Sequence, residues 1–596
     1  MSPSAALEPL TLDSLIDYVA QEQTAARAEY DELMALPVDD RVRRGYTLTG
    51  LRVGAAGREP GQVWLEMGEQ LSRSLRGDEV LLIPEDTAPA LLGGTGTNGA
   101  KVTAQVLEVH SGKLLVQPAR ALDAGRTWRM EPAFTNHAAV VAKALTRIDT
   151  YHGQHLLDAL NGVPSDGEDE GVSDPEGLLA ELEAESGFSL DADQRAAFCA
   201  ALRAPALWGL QGPPGTGKTR VAAFVAEGLA RRLLHRVVVV SQSHEAVNRL
   251  LNEIAGLFPQ RKLVKVGAAL RPTPDAAIQR LTPQAYKQEE KRLLRSRPVL
   301  GMTLHTALLM ADIHSYRADV VIVDEASQVP LAYGAALGLL GFSVLLFGDP
   351  AQLNAIVPTV LEGSPLACSI LDRCAAVTGL AFLPITYRLN GALAELVGSL
   401  FYPDAEGRSR LLSGPGVGER RLRFSARNED TWVDAVLDPQ APTVWVQTEE
   451  EGRRQSSRVE ARLVARLVKW LLAAGIKGHE IAVVTPFRQQ VQLLGAELAG
   501  LPQKVRVGTV ETMQGQSVEV VIVSLASSDP AYLSTIADFY FWPNRWNVAF
   551  SRARTKLVVV GSDIILEAFP PAMRIGVRRN LLAASHSRMR AIHQNP

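Results

Sequence analysis

Residues that can bind a polyphosphate lie together at positions 212–219, where the sequence reads GPPGTGKT. The spacing is that of a phosphate-binding loop, G-x-x-x-x-G-K-[ST]. Glycines allow successive backbone N–H groups to point into one concavity, the lysine reaches the β- and γ-phosphates, and the last hydroxyl lies on Mg²⁺. We predict a nucleoside triphosphate site formed by Gly212, Pro213, Gly215, Thr216, Gly217, Lys218 and Thr219, with Thr219 also at the metal.

Two carboxylates follow the apolar run DVVIV, at Asp324 and Glu325. An acid at the carboxyl end of a strand that faces a phosphate loop suits Mg²⁺, and a second acid can polarise the attacking water. We assign metal binding to Asp324 and water activation to Glu325. Farther on, Gln352 in GDPAQL can touch the γ-phosphate or the water, although this sequence is also typical of a plain turn. The predicted cofactors are ATP and Mg²⁺.

Two arginines are candidates for stabilising the transition state of phosphoryl transfer. Negative charge accumulates on the equatorial oxygens in this reaction, so an efficient hydrolase usually adds an arginine. Arg388 lies in ITYRLN, and Arg552 lies in NRWNVAFSRART with Arg554 two residues on. An ordinary surface arginine is the alternative at each position, and spacing alone does not decide between them.

The elements that must position these residues form two sets of apolar strands that alternate with helical segments. This alternation is typical of a parallel sheet with crossover helices, so we predict an α/β fold with two lobes. Only the first set carries a phosphate loop, and we expect the second lobe to close over the nucleotide. The predicted strands are 206–210, 237–241, 319–323 and 343–347 in the first lobe, and 443–447, 481–485, 505–510, 520–525 and 556–561 in the second.

The first third of the chain has a different pattern. Residues 10–36 have helical apolar spacing and end before Pro37, whereas residues 40–130 alternate apolar and polar residues between glycine-bearing turns. We predict an N-terminal helix and a small antiparallel barrel or sandwich. Contact with nucleic acid and a purely structural role are equally compatible with such a barrel.

The remaining segments complete the predicted domain organisation. Residues 136–160 look helical, residues 161–177 are acidic and rich in glycine and proline, and the last twenty residues are expected to be a mobile basic tail with Arg578, Arg579, Arg588 and Arg590. The predicted domains are 1–36 (helix), 37–135 (barrel), 136–187 (helical segment and linker), 188–378 (first lobe, with a basic helical insertion at 261–298), 379–575 (second lobe) and 576–596 (tail).

Composition restricts the class of protein. Of the 596 residues, 46% are hydrophobic and 21% charged, no stretch approaches eighteen consecutive apolar residues, and the N-terminus lacks a leader pattern, so we expect a cytoplasmic protein with no membrane partner. Three cysteines without paired spacing are expected to be buried thiols. Because the net charge is −4, any nucleic-acid binding must come from a local strip of basic charge.

Taken together, the motifs resemble those of the superfamily 1 helicases. Within these, the chain is similar to the group that includes the nonsense-mediated-decay helicase, senataxin and the immunoglobulin mu-binding helicase. The motifs span residues 188–562, and the resemblance implies two RecA-like lobes that bind ATP between them and move 5′ to 3′ on a single strand. The matching stretches, in order, are LDADQ, GPPGTGKT, SQSHEAVNRL, LGMTLHTA, VDEASQ, GDPAQL, TYRLN, TPFRQQ, VGTVETMQGQSVEVVIVS and NVAFSRART.

The resemblance also implies roles for single residues. It makes Gln194 the adenine reader, Gln352 the sensor, and Arg388 and Arg552 the γ-phosphate arginines, with Tyr387 as a stacking partner for the base. An exposed polar residue that opens a helix is the alternative for Gln194. Two positions depart from the family, Thr386 in place of a glutamine and Ser517 in place of a glutamate near the ribose, and they leave nucleotide selectivity open.

A basic segment at 261–297 is the candidate surface for nucleic acid, since ten basic residues there stand against three acids. In the family, a helical insertion at this place faces the strand, so we predict salt-dependent contacts with phosphates from Lys287, Lys291 and Arg292. A solvated helical face is the alternative. By the same resemblance, the strand-end loops that grip the backbone carry Ser243, His244, Thr303, Thr512 and Arg545, whereas core packing explains Trp546 and Phe550 at least as well.

These observations predict an ATP-dependent helicase or translocase. One alternative is an ATP-controlled clamp or ribonucleoprotein remodeller without processive unwinding, and another is a P-loop ATPase that does not use nucleic acid. The expected partner is single-stranded DNA or RNA, which the sequence does not separate because recognition of the 2′-hydroxyl depends on geometry. We expect a monomer and leave protein partners open.

Overall fold

The structure is a computed structural model that describes residues 8–57, 60–68, 79–86, 101–110, 112–134, 137–148, 153–164, 172–204, 206–232, 236–267, 278–296, 298–313, 315–355, 361, 363–424, 430–513, 515, 517–568 and 580–594. The helices are α1 (Leu12–Ala35), α2 (Val38–Arg43), α3 (His137–Thr146), α4 (Gln154–Leu160), α5 (Pro175–Ser186), α6 (Ala192–Leu202), α7 (Lys218–Arg232), α8 (His244–Leu257), α9 (Pro283–Ser296), α10 (Leu304–Ile313), α11 (Leu331–Ala335), α12 (Ile370–Val377), α13 (Gly391–Phe401), α14 (Thr431–Val436), α15 (Arg458–Ala473), α16 (Arg488–Glu497), α17 (Pro530–Thr535), α18 (Ala537–Tyr540), α19 (Pro543–Phe550), α20 (Ile564–Glu567) and α21 (Leu581–His586). The strands are β1 (Leu48–Ala56), β2 (Val63–Glu66), β3 (Glu79–Pro84), β4 (Val102–His110), β5 (Lys113–Pro118), β6 (Thr127–Pro132), β7 (Leu207–Gln211), β8 (Val237–Ser241), β9 (Leu263–Val266), β10 (Gln279–Leu281), β11 (Val299–Thr303), β12 (Ala318–Asp324), β13 (Gly341–Gly348), β14 (Ala381–Phe382), β15 (Ile385–Thr386), β16 (Leu412–Ser413), β17 (Thr443–Thr448), β18 (Ile481–Thr485), β19 (Arg506–Thr509), β20 (Val518–Ser524), β21 (Ala553–Ser562) and β22 (Arg590–His593).

The predicted barrel is confirmed. Six antiparallel strands close in the order β1-β2-β5-β4-β3-β6. Along these strands, alternate side chains such as Leu48, Leu65, Val106, Val116 and Trp128 fill the barrel interior. The alternation of the sequence therefore identified both the strands and the face that each one buries.

Two parallel sheets form the two lobes, which confirms the predicted α/β fold class. The first sheet has the order β10-β9-β11-β8-β12-β13-β7-β14, and the second has the order β19-β18-β20-β21-β17-β22. Five strands in each lobe have the same spatial order, which is β11-β8-β12-β13-β7 in the first lobe and β19-β18-β20-β21-β17 in the second. Counted along the chain from β7 or from β17, both orders read third, second, fourth, fifth, first. The phosphate loop therefore follows β7, the first of these strands in the first lobe, and β7 pairs with the fifth strand, β13.

The N-terminal elements pack on the first lobe. Leu15 of α1, Val141 of α3 and Leu157 of α4 share one core with residues of that lobe. The guanidinium of Arg373 on α12 fixes this arrangement, since its Nε donates to the carbonyl of Leu160 at 2.8 Å. Within the predicted linker, residues 165–171 lie outside the described residues, and α5 already begins at Pro175.

The expectation of a mobile basic tail is wrong for residues 580–594. They form α21 and β22, and β22 joins the second sheet in parallel with β17. Leu581, Leu582 and Met589 enter the core of the second lobe, and this apolar burial holds the segment in place. Arg578 and Arg579 lie outside the described residues, as do 595–596. Among the helices described, none combines the length and the apolar character needed to cross a bilayer.

Candidate active site

The phosphate loop has the backbone that its glycines predict. It connects β7 to α7, which begins at Lys218. Gly215 and Gly217 have φ values of +80° and +83°, a region that glycine adopts at little cost. Neighbours also require these glycines, because a Cβ on Gly217 would lie 2.5 Å from Nε2 of Gln194.

The two carboxylates at the end of β12 face this loop. Asp324 is fully buried, and Glu325 adopts the left-handed conformation with φ +55°, which is uncommon for a residue other than glycine. Nζ of Lys218 lies 3.1 Å from Oε2 of Glu325 and 3.9 Å from Oδ1 of Asp324. Although burial raises the pKa of Glu325, the cations of Lys218 and Arg249 together lower it to about 2, so this group is ionised at neutral pH.

Arg249 is a site residue that sequence reasoning missed. Its Nη2 lies 2.6 Å from Oε1 of Glu325 and 3.3 Å from Oδ2 of Asp324. Burial lowers the pKa of this guanidinium, but the two carboxylates raise it more, and the net shift is upward. Arg249 lies in the stretch SQSHEAVNRL that carries part of the family resemblance, yet spacing does not reveal that a residue on α8 reaches the end of β12.

Gln352 connects the two lobes. Its Nε2 donates to Oδ2 of Asp349 at 2.6 Å, and its Oε1 accepts from Nη2 of Arg552 at 3.2 Å. Tyr402 of the second lobe also donates to Asp349, at 2.5 Å. Burial raises the pKa of Asp349 despite these donors. The loop after β13 is therefore held by polar contacts from both lobes and is more than a plain turn.

Arg552 is buried and Arg388 is partly buried, and both line the cleft, so neither is an ordinary surface arginine. Nη1 of Arg388 donates to the carbonyl of Ser551 at 3.3 Å, and Nε of Arg552 donates to the carbonyl of Val548 at 3.0 Å. Burial and the neighbouring arginines lower the pKa of Arg388 to about 9, and burial lowers that of Arg552 to about 10. Both groups remain cationic at neutral pH, so a multivalent anion beside them would be favoured.

The phosphate loop and the side chains of Arg249, Glu325, Gln352, Arg388 and Arg552 border one cavity of 620 Å³ between the lobes. Its volume suits a nucleotide-sized ligand. The lining residues are Phe188, Ser189, Gln194, the loop from Gly212 to Thr219, Arg220, Arg249, Glu253, Glu325, Gln352, Tyr387, Arg388, Arg420, Gly515, Ser517, Arg552 and Arg554. The structure thus brings the predicted nucleotide residues of both lobes to a single place.

Gln194 and Tyr387 lie beside the phosphate loop. Gln194 is buried and its Nε2 donates to the carbonyl of Thr216 at 2.9 Å, so the alternative of an exposed polar residue is wrong. Tyr387 donates its hydroxyl to Asp191 at 2.7 Å and remains 40% exposed. Burial and Asp191 raise the pKa of Tyr387 to about 12. An exposed ring at this edge can stack on a base.

The two departures from the family have defined contacts. The hydroxyl of Thr386 donates to the carbonyl of Pro214 at 2.8 Å, which joins the second lobe to the phosphate loop. The hydroxyl of Ser517 accepts from Nε and Nη2 of Arg554 at 3.2 and 3.0 Å. Ser517 therefore positions an arginine that lines the cavity.

The oxygen donors predicted for Mg²⁺ fit that metal. Thr219 offers a hydroxyl and Asp324 a buried carboxylate, and hard oxygen ligands of this kind suit Mg²⁺, which usually keeps substrate phosphates and waters as its other ligands. Within the described ranges, no cluster of three or more His, Cys, Asp or Glu side chains could hold a metal by itself.

The residues predicted to grip a nucleic-acid backbone lie at carboxyl ends of strands. Ser243 caps α8 by accepting from the N–H of Ala246 at 3.1 Å, and His244 is the first residue of that helix. Oγ1 of Thr303 lies 3.0 Å from Oγ1 of Thr306, and Thr512 donates to the carbonyl of Thr509 at 2.8 Å. Since these loops follow β8, β11 and β19, they lie at the same edge of the two sheets as the cavity.

Arg545 contacts residues inside the second lobe, whereas the family resemblance predicted that it contacts a nucleic-acid backbone. It is 6% exposed, donates to the carbonyl of Phe539 at 3.1 Å, and pairs with Glu511. Its guanidinium lies 3.8 Å from the centre of the Phe539 ring. Arg545 therefore braces the loop around Glu511. Trp546 and Phe550 are fully buried, which confirms core packing for both.

Part of the positive charge in the basic insertion is already paired. On α9, Lys287 lies 2.9 Å from Glu290, and Arg292 pairs with Glu289. Lys291 and Arg295 are exposed on the same helix. Arg261 instead pairs with the buried Glu227 of α7 at 2.6 Å, while Arg271 and Arg297 lie outside the described residues. The basic surface of α9 is thus smaller than the sequence count suggested.

Sequence comparisons with known proteins cover both lobes. Two family models described as AAA domains match residues 189–366 and 366–564. The chain is 27% identical over 402 residues to the DNA replication ATP-dependent helicase/nuclease JHS1 of Arabidopsis thaliana, covering 65% of this chain and 29% of that protein. It is 26% identical over 412 residues to Regulator of nonsense transcripts 1 of Caenorhabditis elegans, covering 60% of this chain and 36% of that protein. Among solved structures, the Arterivirus nonstructural protein 10 (helicase) aligns with a TM-score of 0.37 and 13% identity, over 88% of this chain and 80% of that chain.

Proposed function

Because the chain belongs to the superfamily 1 helicases, we propose that it is an ATP-dependent motor that moves 5′ to 3′ along single-stranded nucleic acid. The observation that carries this proposal is the contact between Gln352 of the first lobe and Arg552 of the second, at 3.2 Å, beside the cavity that Lys218 and Glu325 also line. A nucleotide between the lobes would bind groups from both, so its hydrolysis would change the contact between them.

In the proposed ATP complex, the phosphate loop and Lys218 bind the β- and γ-phosphates, while Gln194 and Tyr387 hold the adenine end. Lys218 contacts Glu325 at 3.1 Å in the structure, and a γ-phosphate would compete with this carboxylate for the ammonium group. The competition frees an oxygen of Glu325 to orient the attacking water and accept its proton. Thr219 and Asp324 would hold Mg²⁺, which would supply charge neutralisation at the phosphates.

Arg388 and Arg552 complete the proposed site from the second lobe. They remain cationic despite burial, and charge that builds up on the γ-phosphate would be stabilised most strongly when both groups are near it. Loss of the γ-phosphate removes the anion that holds these arginines against the first lobe. We infer that the lobes close on ATP and open after hydrolysis.

The proposed track lies along the carboxyl edges of the sheets, past Ser243, His244, Thr303 and Thr512. Exposed cations on α9, Lys291 and Arg295, would add phosphate contacts. Small hydroxyl groups and long cations suit a sugar–phosphate backbone, which both DNA and RNA present. Alternating grips by the two lobes would then convert each cycle of closing and opening into movement along the strand.

Steady-state ATP hydrolysis tests the proposal. The rate is measured without polymer, with single-stranded DNA and with single-stranded RNA, at low and high salt, with Lys218→Ala as the background. We expect strong stimulation by at least one polymer, weakened by salt because phosphate contacts release counterions. Equal rates in all three conditions would contradict a motor on nucleic acid and favour an ATPase that works on another partner.

A further inference from the structure

Arg249 lies where three functional parts of the molecule meet. It belongs to α8, whose first turn contains the proposed strand-gripping residues Ser243 and His244. Its guanidinium contacts the carboxylates at the end of β12. Arg249 also borders the second lobe. Its Nη1 lies so close to Gly515 that a Cβ atom placed on that glycine would be only 3.1 Å away. One side chain therefore touches the ATPase carboxylates from a helix that begins at the proposed track.

This contact occupies the proposed general base. Oε1 of Glu325 lies 2.6 Å from Arg249, and Oε2 lies 3.1 Å from Lys218. A γ-phosphate would compete with Glu325 for Lys218, which begins the helix after the phosphate loop. Arg249 comes from a different helix, α8, and contacts Asp324 as well as Glu325. A carboxylate bound by a guanidinium is a poor acceptor for a proton from water, because protonation would break a charge-assisted hydrogen bond.

The guanidinium is also incompletely satisfied where it stands. Nε of Arg249 is buried and has no hydrogen-bond partner among the described residues. A buried donor without a partner carries a free-energy cost, which lowers the work needed to move this side chain. By contrast, Val247, Leu250 and Leu251 of α8 are buried in the core of the first lobe. A displacement at the start of α8 would therefore move the helix as a packed unit and carry Arg249 with it.

We propose that Arg249 restrains Glu325 until a single strand binds at the start of α8, so that ATP hydrolysis depends on the track. Arg249 is then a positioning residue that couples the track to the base. This inference rests on the proposed function, because it requires a polymer that stimulates hydrolysis. Binding energies are reciprocal, so a polymer that breaks the Arg249–Glu325 contact must spend part of its binding free energy on doing so.

The test uses the full chain with Arg249→Gln, which removes the charge, and Arg249→Lys, which keeps the charge but loses the planar guanidinium and its buried Nε. Arg236→Gln is the matched control, because Arg236 pairs with Asp319 at 3.3 Å on an exposed part of the same lobe and does not line the cavity. Two quantities are measured: kcat with and without a saturating single-stranded oligonucleotide, and the affinity for that oligonucleotide in EDTA without nucleotide.

For Arg249→Gln, we expect the basal kcat to rise and the stimulation ratio to fall by about fivefold or more, the lower end of typical coupling. The oligonucleotide should bind more tightly in EDTA, since no contact has to be broken. Arg249→Lys should be intermediate, and Arg236→Gln should match the wild type. A purely structural role would not raise both the basal rate and the affinity.

Two results would overturn the inference while the proposed function stands. One is a stimulated wild type whose Arg249 variants have wild-type basal rate and affinity. The other is an equal fall in basal and stimulated rates, which would mean that Arg249 supports hydrolysis. A wild type that no polymer stimulates would overturn the proposed function and, with it, this inference.

Discussion

The two lobes share a strand order but differ at the point where the first strand of each leads into its helix. In the first lobe, β7 leads to the phosphate loop and to Lys218 at the start of α7. In the second lobe, β17 leads to α15, whose first turn contains the buried Glu460. The last residue of the fourth strand also differs between the lobes, since β12 ends at Asp324 and β20 ends at Ser524.

In the second lobe, Glu460 places a buried carboxyl group at the start of α15. Its carboxylate accepts from the hydroxyl of Ser524 at 2.6 Å and from the N–H of Ala526 at 2.9 and 3.0 Å. Burial raises the pKa of Glu460 from its ordinary value of 4.5 to about 8. Donors that could face a phosphate at this edge of the sheet are thus already used by a side chain. The same strand arrangement thus carries a phosphate loop in one lobe and an internal carboxyl group in the other.

What the second lobe offers instead is positive charge at the cavity. Arg388, Arg552 and Arg554 all border it from that side, whereas the carboxylates come from the first lobe. Under the proposed mechanism each lobe carries only part of the chemistry, so we expect neither lobe to hydrolyse ATP efficiently alone. The four sets of variants below test this division of the site between the two lobes.

The largest effect is expected from Lys218→Ala. The variant loses the ammonium group that faces both carboxylates and, in the proposed complex, the β- and γ-phosphates, so kcat for ATP should fall by about 10³-fold or more. Circular dichroism should show an intact fold, and Glu325→Gln should lose turnover as well. Turnover close to wild type in either variant would contradict the proposed mechanism.

Arg552→Ala tests the contribution of the second lobe. We expect nucleotide binding to persist and kcat to fall by about 10³-fold, as for other arginines that stabilise phosphoryl transfer. Arg590→Ala is the control, because Arg590 pairs with Asp438 at 2.8 Å on an exposed strand of the same lobe. Joint loss of nucleotide binding and of the folded state would instead make Arg552 a structural residue.

Glu460→Gln tests the internal carboxyl group. A raised pKa means that the folded state binds more protons than the unfolded state between about pH 4.5 and 8, so stability contributed by this group is present at low pH and lost as pH rises through that window. The wild type should lose on the order of 4 kcal/mol of unfolding free energy between about pH 5 and 9 from this group. In urea unfolding, the variant should lack that decline. A decline of the same size in both proteins would exclude Glu460 as its source.

The smallest effect is expected on the basic surface of α9. Charge reversal of Lys291 and Arg295 together should weaken binding of a single strand and lower the salt dependence of the binding constant by about one per lost phosphate contact. Charge reversal of Arg462 and Lys469 together, at exposed positions of α15, is the control that matches the change in net charge. Anisotropy titrations at several salt concentrations make the comparison. An unchanged salt slope would place the track elsewhere.

Much of the fold follows from local pattern. The barrel strands were predictable because alternation and glycine turns are local, and the phosphate loop was predictable because its spacing is tied to one backbone shape. In the first lobe, β9, β10 and β14 are only two to four residues long, and such short runs carry no periodicity. The C-terminal strand β22 could not be foreseen, because its partner β17 lies far away in the sequence.

The candidate site was predictable where a motif specifies the chemistry and unpredictable where tertiary contacts do. Lys218, Glu325 and Arg552 line the same cavity, as a shared role in hydrolysis requires. Arg249 was missed, since only the packing of α8 against the end of β12 brings it to Glu325. Arg545 was expected at the nucleic acid, but the neighbouring Glu511 and Phe539 satisfy it internally. Side chains of one type thus differ in role through burial, which the sequence does not display.

The most direct test of the central claim is ATP-driven strand displacement by the full chain. Duplexes with a 5′ or a 3′ single-stranded tail, in DNA and in RNA, are offered to the wild type and to Arg552→Ala. We predict that the wild type displaces the strand from a 5′-tailed duplex only with ATP, and that Arg552→Ala binds the same duplex without displacing it. Polymer-stimulated ATP hydrolysis with no displacement from any tailed duplex would contradict a motor and would favour an ATP-controlled clamp.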